Sequence, residues 1–252
     1  MTKTQQLHNY TLRQGDNCLI LGQRLAEWCG HGPVLEQDIA LTNISLDLIG
    51  QTRNYYQYAA QMNEEGKNED DLAFLRDSLD YYNLLLVEQP NGDFAHTITR
   101  QYLFDVFHFH FLSQLCSSKD EQLSAIAHKS IKEVGYHRRW SSQWVLRLGD
   151  GTNESHSRMQ VALDSLWKYA FEALEPDDLD LQMSEAGLGV DLDKIKKVCR
   201  QEVLDHLKKA TLQIPQHGSG QVGGKTGKHT EHLGYILAEM QYMQRTYPGA
   251  KW

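Results

Sequence analysis

Prolines are scarce in this chain, and their scarcity constrains the fold more than any other feature. Only five occur in 252 residues, and they fall between long runs in which apolar residues recur every three or four positions. This recurrence is typical of amphipathic helices, and a proline between two runs ends one helix and begins the next. We find no run with the pattern of a strand and no internal repeat of fixed period. The sequence therefore predicts an all-α protein.

Eight runs have the helical pattern. Their approximate bounds are 16–29, 35–62, 72–82, 93–116, 121–148, 154–174, 191–212 and 233–245. Four of the runs are long and mostly closely connected, which is typical of a four-helix bundle. Asp16 and Asp93 are expected to cap the runs that they open, and a glycine of the segment 149–151 to end its helix in a left-handed conformation. We predict one domain over residues 1–252, with the bundle at about 16–150 and appended helices and a tail at about 151–252.

The composition argues against several classes of partner and compartment. A formal net charge of −8 argues against nucleic acid or an anionic membrane surface as the main partner. The beginning of the sequence has no apolar signal segment, and no stretch reaches the roughly 18–20 apolar residues that span a bilayer. The four cysteines are scattered without a C-x-x-C pair, which argues against zinc or redox motifs. We expect a cytoplasmic protein with reduced thiols.

Helical bundles often hold two metal ions between facing helices, with Glu-x-x-His on two of them, because residues three apart lie on one face. This chain has no Glu-x-x-His. It has Asp-x-x-His twice, at Asp93/His96 and at Asp105/His108. Asp105 lies on the apolar seam of its run, with His108 offset from that seam, and a buried carboxylate needs a partner. We predict a hydrogen bond or ion pair for Asp105 rather than a metal ion.

Other seam positions also lack the residues of a metal site. His137 lies in line with Trp140 and Trp144, but Val134 stands three residues before it, where a ligand pair needs a carboxylate. Leu48 and Gln51 have the same three-residue spacing on the second run, and neither is an ordinary iron ligand. We interpret His137 as a satisfied core residue, and we expect no catalytic residue, cofactor-binding site or complete metal site.

A glycine-rich basic loop at 217–228 contains two further motifs. Residues 218–223 fit G-x-G-x-x-G, and residues 224–226 resemble the end of a phosphate-binding loop, but no strand precedes either. We expect a mobile loop, or one that a partner orders. Lys225 and Lys228 are its candidate phosphate contacts, together with backbone N–H groups.

Five segments resemble a known family. They are DNCL at 16–19, RLAEWCGH at 24–31, NLLLVEQPNG at 83–92, GGKTGKHTEHLG at 223–234 and LAEMQ at 237–241. Together they resemble the C subunits of bacterial ring-1,2-phenylacetyl-CoA epoxidases, multicomponent monooxygenases of aerobic phenylacetate breakdown, and the resemblance covers essentially the whole chain. It implies a ferritin-like fold and a structural, non-catalytic subunit in a heterodimer with a catalytic A subunit, within a larger complex.

The resemblance also implies which components hold the cofactors. The A subunit would hold the di-iron centre and bind the CoA thioester, and a reductase with FAD and an iron–sulfur cluster would deliver electrons from NADPH. The C subunit would bind no cofactor of its own.

Matching the seam positions to the catalytic paralogue implies a vestigial metal site. Where the paralogue has Asp-Glu-x-x-His, this chain has Leu48 and Gln51. Where it has Lys-Glu-Glu-x-x-His, Val134 replaces the glutamate and His137 is kept, and Asp105 matches a further carboxylate. The remaining match on the first helix stays open between Gln23 and Arg24, and two ligands of six would not hold a di-iron pair.

Three functional hypotheses remain. The leading one is a structural subunit that binds and stabilises a catalytic di-iron partner, aided by the amphipathic stretch at 233–245. The second is a metalloenzyme with an atypical site at Asp105, His108 or His137. The third is a module that binds the phosphates of CoA through Lys225 and Lys228.

Overall fold

The computed structural model describes residues 1–63, 65–216 and 220–250, and their regular structure is entirely helical. The α-helices are α1 (Lys3–Ala26), α2 (Leu35–Gln61), α3 (Glu69–Phe74), α4 (Phe94–Leu115), α5 (Glu121–Gly149), α6 (Asn153–Leu166), α7 (Asp178–Glu185), α8 (Leu192–Lys209), α9 (Glu231–Met240) and α10 (Tyr242–Thr246). No strand occurs within these ranges, so the predicted all-α class is confirmed.

The helices group into two compact units. The first unit is Met1–Gln89 with Gly223–Trp252, and it contains α1, α2, α3, α9 and α10. The second unit is Pro90–Val222, and it contains α4 to α8. Long helices form the centre of each unit: α1 packs along α2 in the first, and α4 packs along α5 in the second. The division predicted from the sequence, at about residue 150, stays a prediction.

Helix α1 begins much earlier than the sequence pattern predicted. It starts at Lys3, where Thr2 forms a capping box: the Thr2 hydroxyl accepts a hydrogen bond from the Gln5 amide (3.2 Å), and the Gln5 side chain accepts one from the Thr2 amide (2.9 Å). Asp16 is therefore not a cap, because it lies buried in the middle of the helix. The error arose because the residues before Asp16 are mostly polar, and yet those directly before it, such as Thr11, Arg13 and Gln14, are buried.

Other boundaries were predicted with mixed success. The runs that became α2, α4, α5 and α8 were placed within about three residues, and the Asp93 cap is confirmed, since its carboxylate accepts a hydrogen bond from the His96 amide at 3.0 Å. The run at 72–82 was wrong: only α3 and a short 3-10 turn form there. The run at 154–174 ends as a helix at Leu166, α7 was missed, and the run at 233–245 divides into α9 and α10.

The predicted left-handed end of α5 was also wrong. Neither Gly149 nor Gly151 has a positive φ, and the capping residue Asp150 has φ −100° and ψ 23°. Gly149 is needed for a different reason, because a Cβ there would lie 2.5 Å from the carbonyl oxygen of Ala210. The glycine therefore allows the end of α8 to pack closely against the end of α5.

Candidate functional site

Asp105 is the centre of a buried polar cluster in the second unit. Its side chain lies on α4 and is fully buried. Gln101, one turn earlier, donates a hydrogen bond from Nε2 to Oδ1 (2.7 Å), and Ser141 on α5 donates one from Oγ to Oδ2 (2.7 Å). Both carboxyl oxygens therefore have a donor, which confirms the predicted hydrogen-bonded Asp105.

One histidine, His137, acts electrostatically on this carboxyl group and also on a second buried histidine, His108. His137 on α5 is fully buried, and His108 on α4 is buried against the ring of Phe104, with 4.9 Å between ring centroids. Burial raises the pKa of Asp105 to about 7, although His137 and the two hydrogen-bond donors oppose the rise. Burial, followed by the influence of His137, lowers the pKa of His108 to about 3. His108, which the sequence pattern had set off the seam, is thus a buried neutral imidazole.

The helix α5 position that would complete a ligand pair is apolar. Val134 lies one turn before His137 and is fully buried, so the face that carries His137 has no carboxylate there. Within residues 1–63, 65–216 and 220–250, no group of three or more His, Cys, Asp or Glu side chains is arranged to hold a metal ion.

In the first unit, the corresponding positions on α2 are equally buried. Leu48 is fully buried and Gln51 is 1% exposed. The Cys18 thiol donates a hydrogen bond to Oε1 of Gln51 at 3.8 Å. Burial and the charge of Asp16 raise the pKa of this thiol, which keeps it protonated as the donor. Gln51 is therefore part of a hydrogen-bonded core contact between α1 and α2.

These side chains are a poor match for a di-iron centre, which needs carboxylates and imidazoles on its helices. Leu48 and Val134 have no donor atom, and both oxygens of Asp105 are already engaged. On the first helix, Arg24 donates from Nε and Nη2 to the carbonyl oxygen of Glu88 (3.1 and 2.9 Å) and pairs with Glu27 at 2.8 Å. The choice between Gln23 and Arg24 as the matching position stays open.

Two members of the Asp105 cluster were missed in the sequence. Gln101 stands four residues before Asp105, and Ser141 stands four residues after His137, so each shares a helix face with a residue that had been singled out. A search of the same face for hydrogen-bond donors, rather than for metal ligands, would have found both.

The glycine-rich loop falls partly outside the described residues. Residues 217–219 are not described, so the G-x-G-x-x-G pattern that starts at Gly218 lies partly outside the structure. The described part contains a 3-10 turn at Gly224–Thr226, where a Cβ on Gly224 would collide with the carbonyl oxygen of Asn83. Arg13 donates from Nη2 to the carbonyl oxygen of Lys225 (3.3 Å), and Lys228 is exposed. This turn is packed within the first unit, and phosphate binding by Lys225 and Lys228 stays a prediction.

Glu88, which the sequence did not single out, fixes the segment that follows this turn. It is fully buried and accepts hydrogen bonds from the Thr230 amide (2.6 Å) and hydroxyl (2.7 Å) and from Asn83 Nδ2 (3.0 Å). His229 lies with Nδ1 2.9 Å from the Glu88 carboxylate and Nε2 2.8 Å from the carbonyl oxygen of Tyr81. Because both ring nitrogens face oxygen atoms that accept hydrogen bonds, this geometry favours the imidazolium form of His229. Burial alone would lower its pKa, but the bonds to Glu88 and Tyr81 outweigh burial and raise it.

Comparison with known proteins identifies the family of this chain. A family model described as phenylacetic acid catabolic protein matches residues 1–252. The chain belongs to this family. One relative in it, the C subunit of the 1,2-phenylacetyl-CoA epoxidase of Escherichia coli (strain K12), is 52% identical over 247 residues, which cover 98% of this chain and 99% of the relative. The ferritin-like fold that the resemblance implied is confirmed for this member of the phenylacetic acid catabolic proteins.

The helices in the described ranges were compared with the length and apolar character that a membrane-spanning helix needs. None of the helices there is both long enough and apolar enough to cross a bilayer.

Proposed function

We propose that this chain is the structural subunit of a multicomponent phenylacetyl-CoA epoxidase in phenylacetate catabolism, and that it binds and stabilises the catalytic subunit. The observation that carries the proposal is the 52% identity with the C subunit of such an epoxidase over nearly the full length of both chains. An identity this high over whole chains favours a shared place in the complex, not only a shared fold.

Two buried polar side chains at the positions singled out in the sequence support a role without catalysis. Asp105 has both oxygens in hydrogen bonds within its unit, and Gln51 is engaged by Cys18. Groups satisfied in this way stabilise a core, and they are not held open for a ligand. In the proposed complex, the catalytic A subunit holds the di-iron centre and binds the CoA thioester, and a reductase with FAD and an iron–sulfur cluster supplies electrons from NADPH. This chain holds no metal in the proposed complex. It works in the cytoplasm, a location that its four free cysteines favour because thiols stay reduced there.

The test compares the chain alone, the catalytic subunit alone and the two together with the remaining components. We expect the two chains to co-purify, and we expect phenylacetyl-CoA-dependent oxidation of NADPH to need both. Iron measured in the complex should follow the catalytic subunit. Stoichiometric iron in this chain alone, with oxidase activity in the absence of a partner, would contradict the proposal.

The proximity of Asp105 and His137 defines the competing hypothesis of an atypical metal site. Replacing them together, as Asp105→Asn with His137→Gln, should change the stability of the chain but leave the turnover of the assembled complex unchanged. Loss of turnover in a complex that still assembles would favour the atypical site.

The phosphate-binding hypothesis has its own test. Replacing Lys225 and Lys228 by alanine should leave the affinity of the complex for phenylacetyl-CoA unchanged. A weakened affinity, with assembly intact, would assign these lysines to the CoA phosphates.

A further inference from the structure

Helix α2 has a solvent-exposed face with the spacing of a helix–helix contact. Its exposed residues recur in steps of three and four, and we call them the α2 seam: Glu36, Ile39, Asn43, Leu46, Gly50 and Arg53. Ile39 is 51% exposed and Leu46 61% exposed, and the adjoining Leu35 is 71% exposed. Alternate steps of three and four residues are the pattern by which one helix packs along another.

The α2 seam is complementary to itself when one copy is reversed. Its members are arranged symmetrically about a point between residues 44 and 45, so an antiparallel copy would place Arg53 opposite Glu36, Gly50 opposite Ile39 and Leu46 opposite Asn43. The outermost pair brings the opposite charges of Glu36 and Arg53 together. The next pair places the Ile39 side chain opposite Gly50, which has no side chain.

Gly50 leaves a real gap in this face. A Cβ built on it would meet no atom within 4 Å, so the space above the glycine is open in the single chain. In the antiparallel arrangement, Ile39 of the second copy would face this open position. Within the described residues, neither Glu36 nor Arg53 forms an ion pair. The charge of Arg53 does help to lower the pKa of Glu69, but without a direct contact. Both charges are therefore available to a partner.

We propose that the α2 seam is a docking surface for a second copy of this chain, in which the two α2 helices pack antiparallel about a two-fold axis. The contact is isologous, since the same face is used by both copies. From Glu36 to Arg53 the seam is about 26 Å long at 1.5 Å per residue. One seam of this length buries less than the roughly 800 Å² per partner of a stable interface, so the dimer is weak, with a dissociation constant in the micromolar range. This contact goes beyond the proposed function, which requires only a catalytic partner.

The experiment is sedimentation velocity of the purified chain over a range of concentrations up to about 100 µM, where a micromolar dimer is largely formed. Ile39→Asp should weaken the dimer at least about tenfold because it buries an unpaired charge at the contact. Gly50→Gln should weaken it similarly by filling the gap, and it should fold normally because the space is open in the single chain. Val161→Asp on α6, at a position 57% exposed, is the matched control and should have no effect.

Charge reversal tests the antiparallel register. Glu36→Arg and Arg53→Glu should each weaken the dimer several-fold, and the two changes in one chain should restore it, because the pair is then re-formed with its signs exchanged. Circular dichroism of each variant verifies that the helices are intact.

Three results would overturn the proposal: a chain that stays monomeric at every concentration, a dimer that survives both Ile39→Asp and Gly50→Gln, or a double reversal that fails to restore it. A seam that binds the catalytic subunit while the chain alone stays monomeric would also refute it, and would support the proposed function. Failure of the proposed function is seen separately, as loss of co-purification.

Discussion

Arg76 and Asp16 form a buried ion pair that should be essential to the first unit. Arg76 is 7% exposed and Asp16 fully buried, and the two carboxylate–guanidinium hydrogen bonds measure 2.5 and 3.2 Å. Asp16 also accepts hydrogen bonds from the Tyr56 hydroxyl (2.5 Å) and from the Tyr82 amide (2.8 Å), and the guanidinium lies 4.1 Å from the centroid of the Tyr81 ring. Every oxygen of the carboxylate is therefore engaged, with Arg76 as its counter-charge.

The perturbation is Arg76→Met, which keeps an unbranched apolar stem and removes the charge. Removing one partner of a buried pair leaves the other charge unbalanced in a medium of low polarity, which typically costs about 3–5 kcal/mol. For a protein of this size each kcal/mol lowers the melting temperature by about 2–4 °C, so we expect a loss of about 6–20 °C. Asp16→Asn added to Arg76→Met should recover part of the loss, because the unbalanced charge is then gone.

The measurement is urea denaturation followed by circular dichroism, with the free energy of unfolding compared between variants. Arg158→Met is the matched control, because Arg158 pairs with Glu154 at 2.8 Å on the surface, where its side chain is 57% exposed. An exposed ion pair contributes little to stability, so this variant should have nearly the same free energy of unfolding as the unchanged protein. A loss below about 1 kcal/mol for Arg76→Met would refute the argument, since the pair would then behave like a surface one.

Three further changes test other parts of the structure. The pKa of Asp105, about 7 in the folded chain against about 3.9 when unfolded, means that its protonated form contributes stability that is complete below about pH 4 and lost as the pH rises through 7. Asp105→Asn should flatten this part of the stability curve in urea denaturation from pH 4 to 8, and an unchanged curve would contradict the assignment. Gly224→Ala should destabilise the chain by about 1–3 kcal/mol because its Cβ collides with backbone, whereas Gly234→Ala on α9 has open space and should be neutral or stabilising by thermal denaturation. Glu88→Gln should cost about 2–3 kcal/mol by weakening the bonds to His229 and Thr230, and faster amide exchange in the segment 223–230 should reveal it; unchanged protection there would argue against the anchoring role.

The helices that the sequence predicted well are those whose evidence is local. In α2, α4, α5 and α8, apolar residues recur at helical spacing and a cap or a proline stands near an end, so the period and the boundary can both be read within a short window. The same local rule predicted that Asp105 would be hydrogen-bonded, because it stands on an apolar face. It also identified Leu48, Gln51 and Val134 as positions without the usual ligands, since spacing along one helix places them on its buried side.

Contacts between distant residues decided the rest. The first half of α1 is rich in polar residues, and such a segment looks solvent-exposed until its partners are known. Asp16 is buried in that helix because Arg76, sixty residues later, neutralises it, and Glu88 is buried because His229 and Thr230 return to it from the end of the chain. Helical periodicity therefore established the class of fold and identified the buried positions that lack the usual metal ligands. The tertiary structure alone decided which polar side chains could be buried, because burial of a charge depends on a donor or counter-charge that the fold brings from elsewhere.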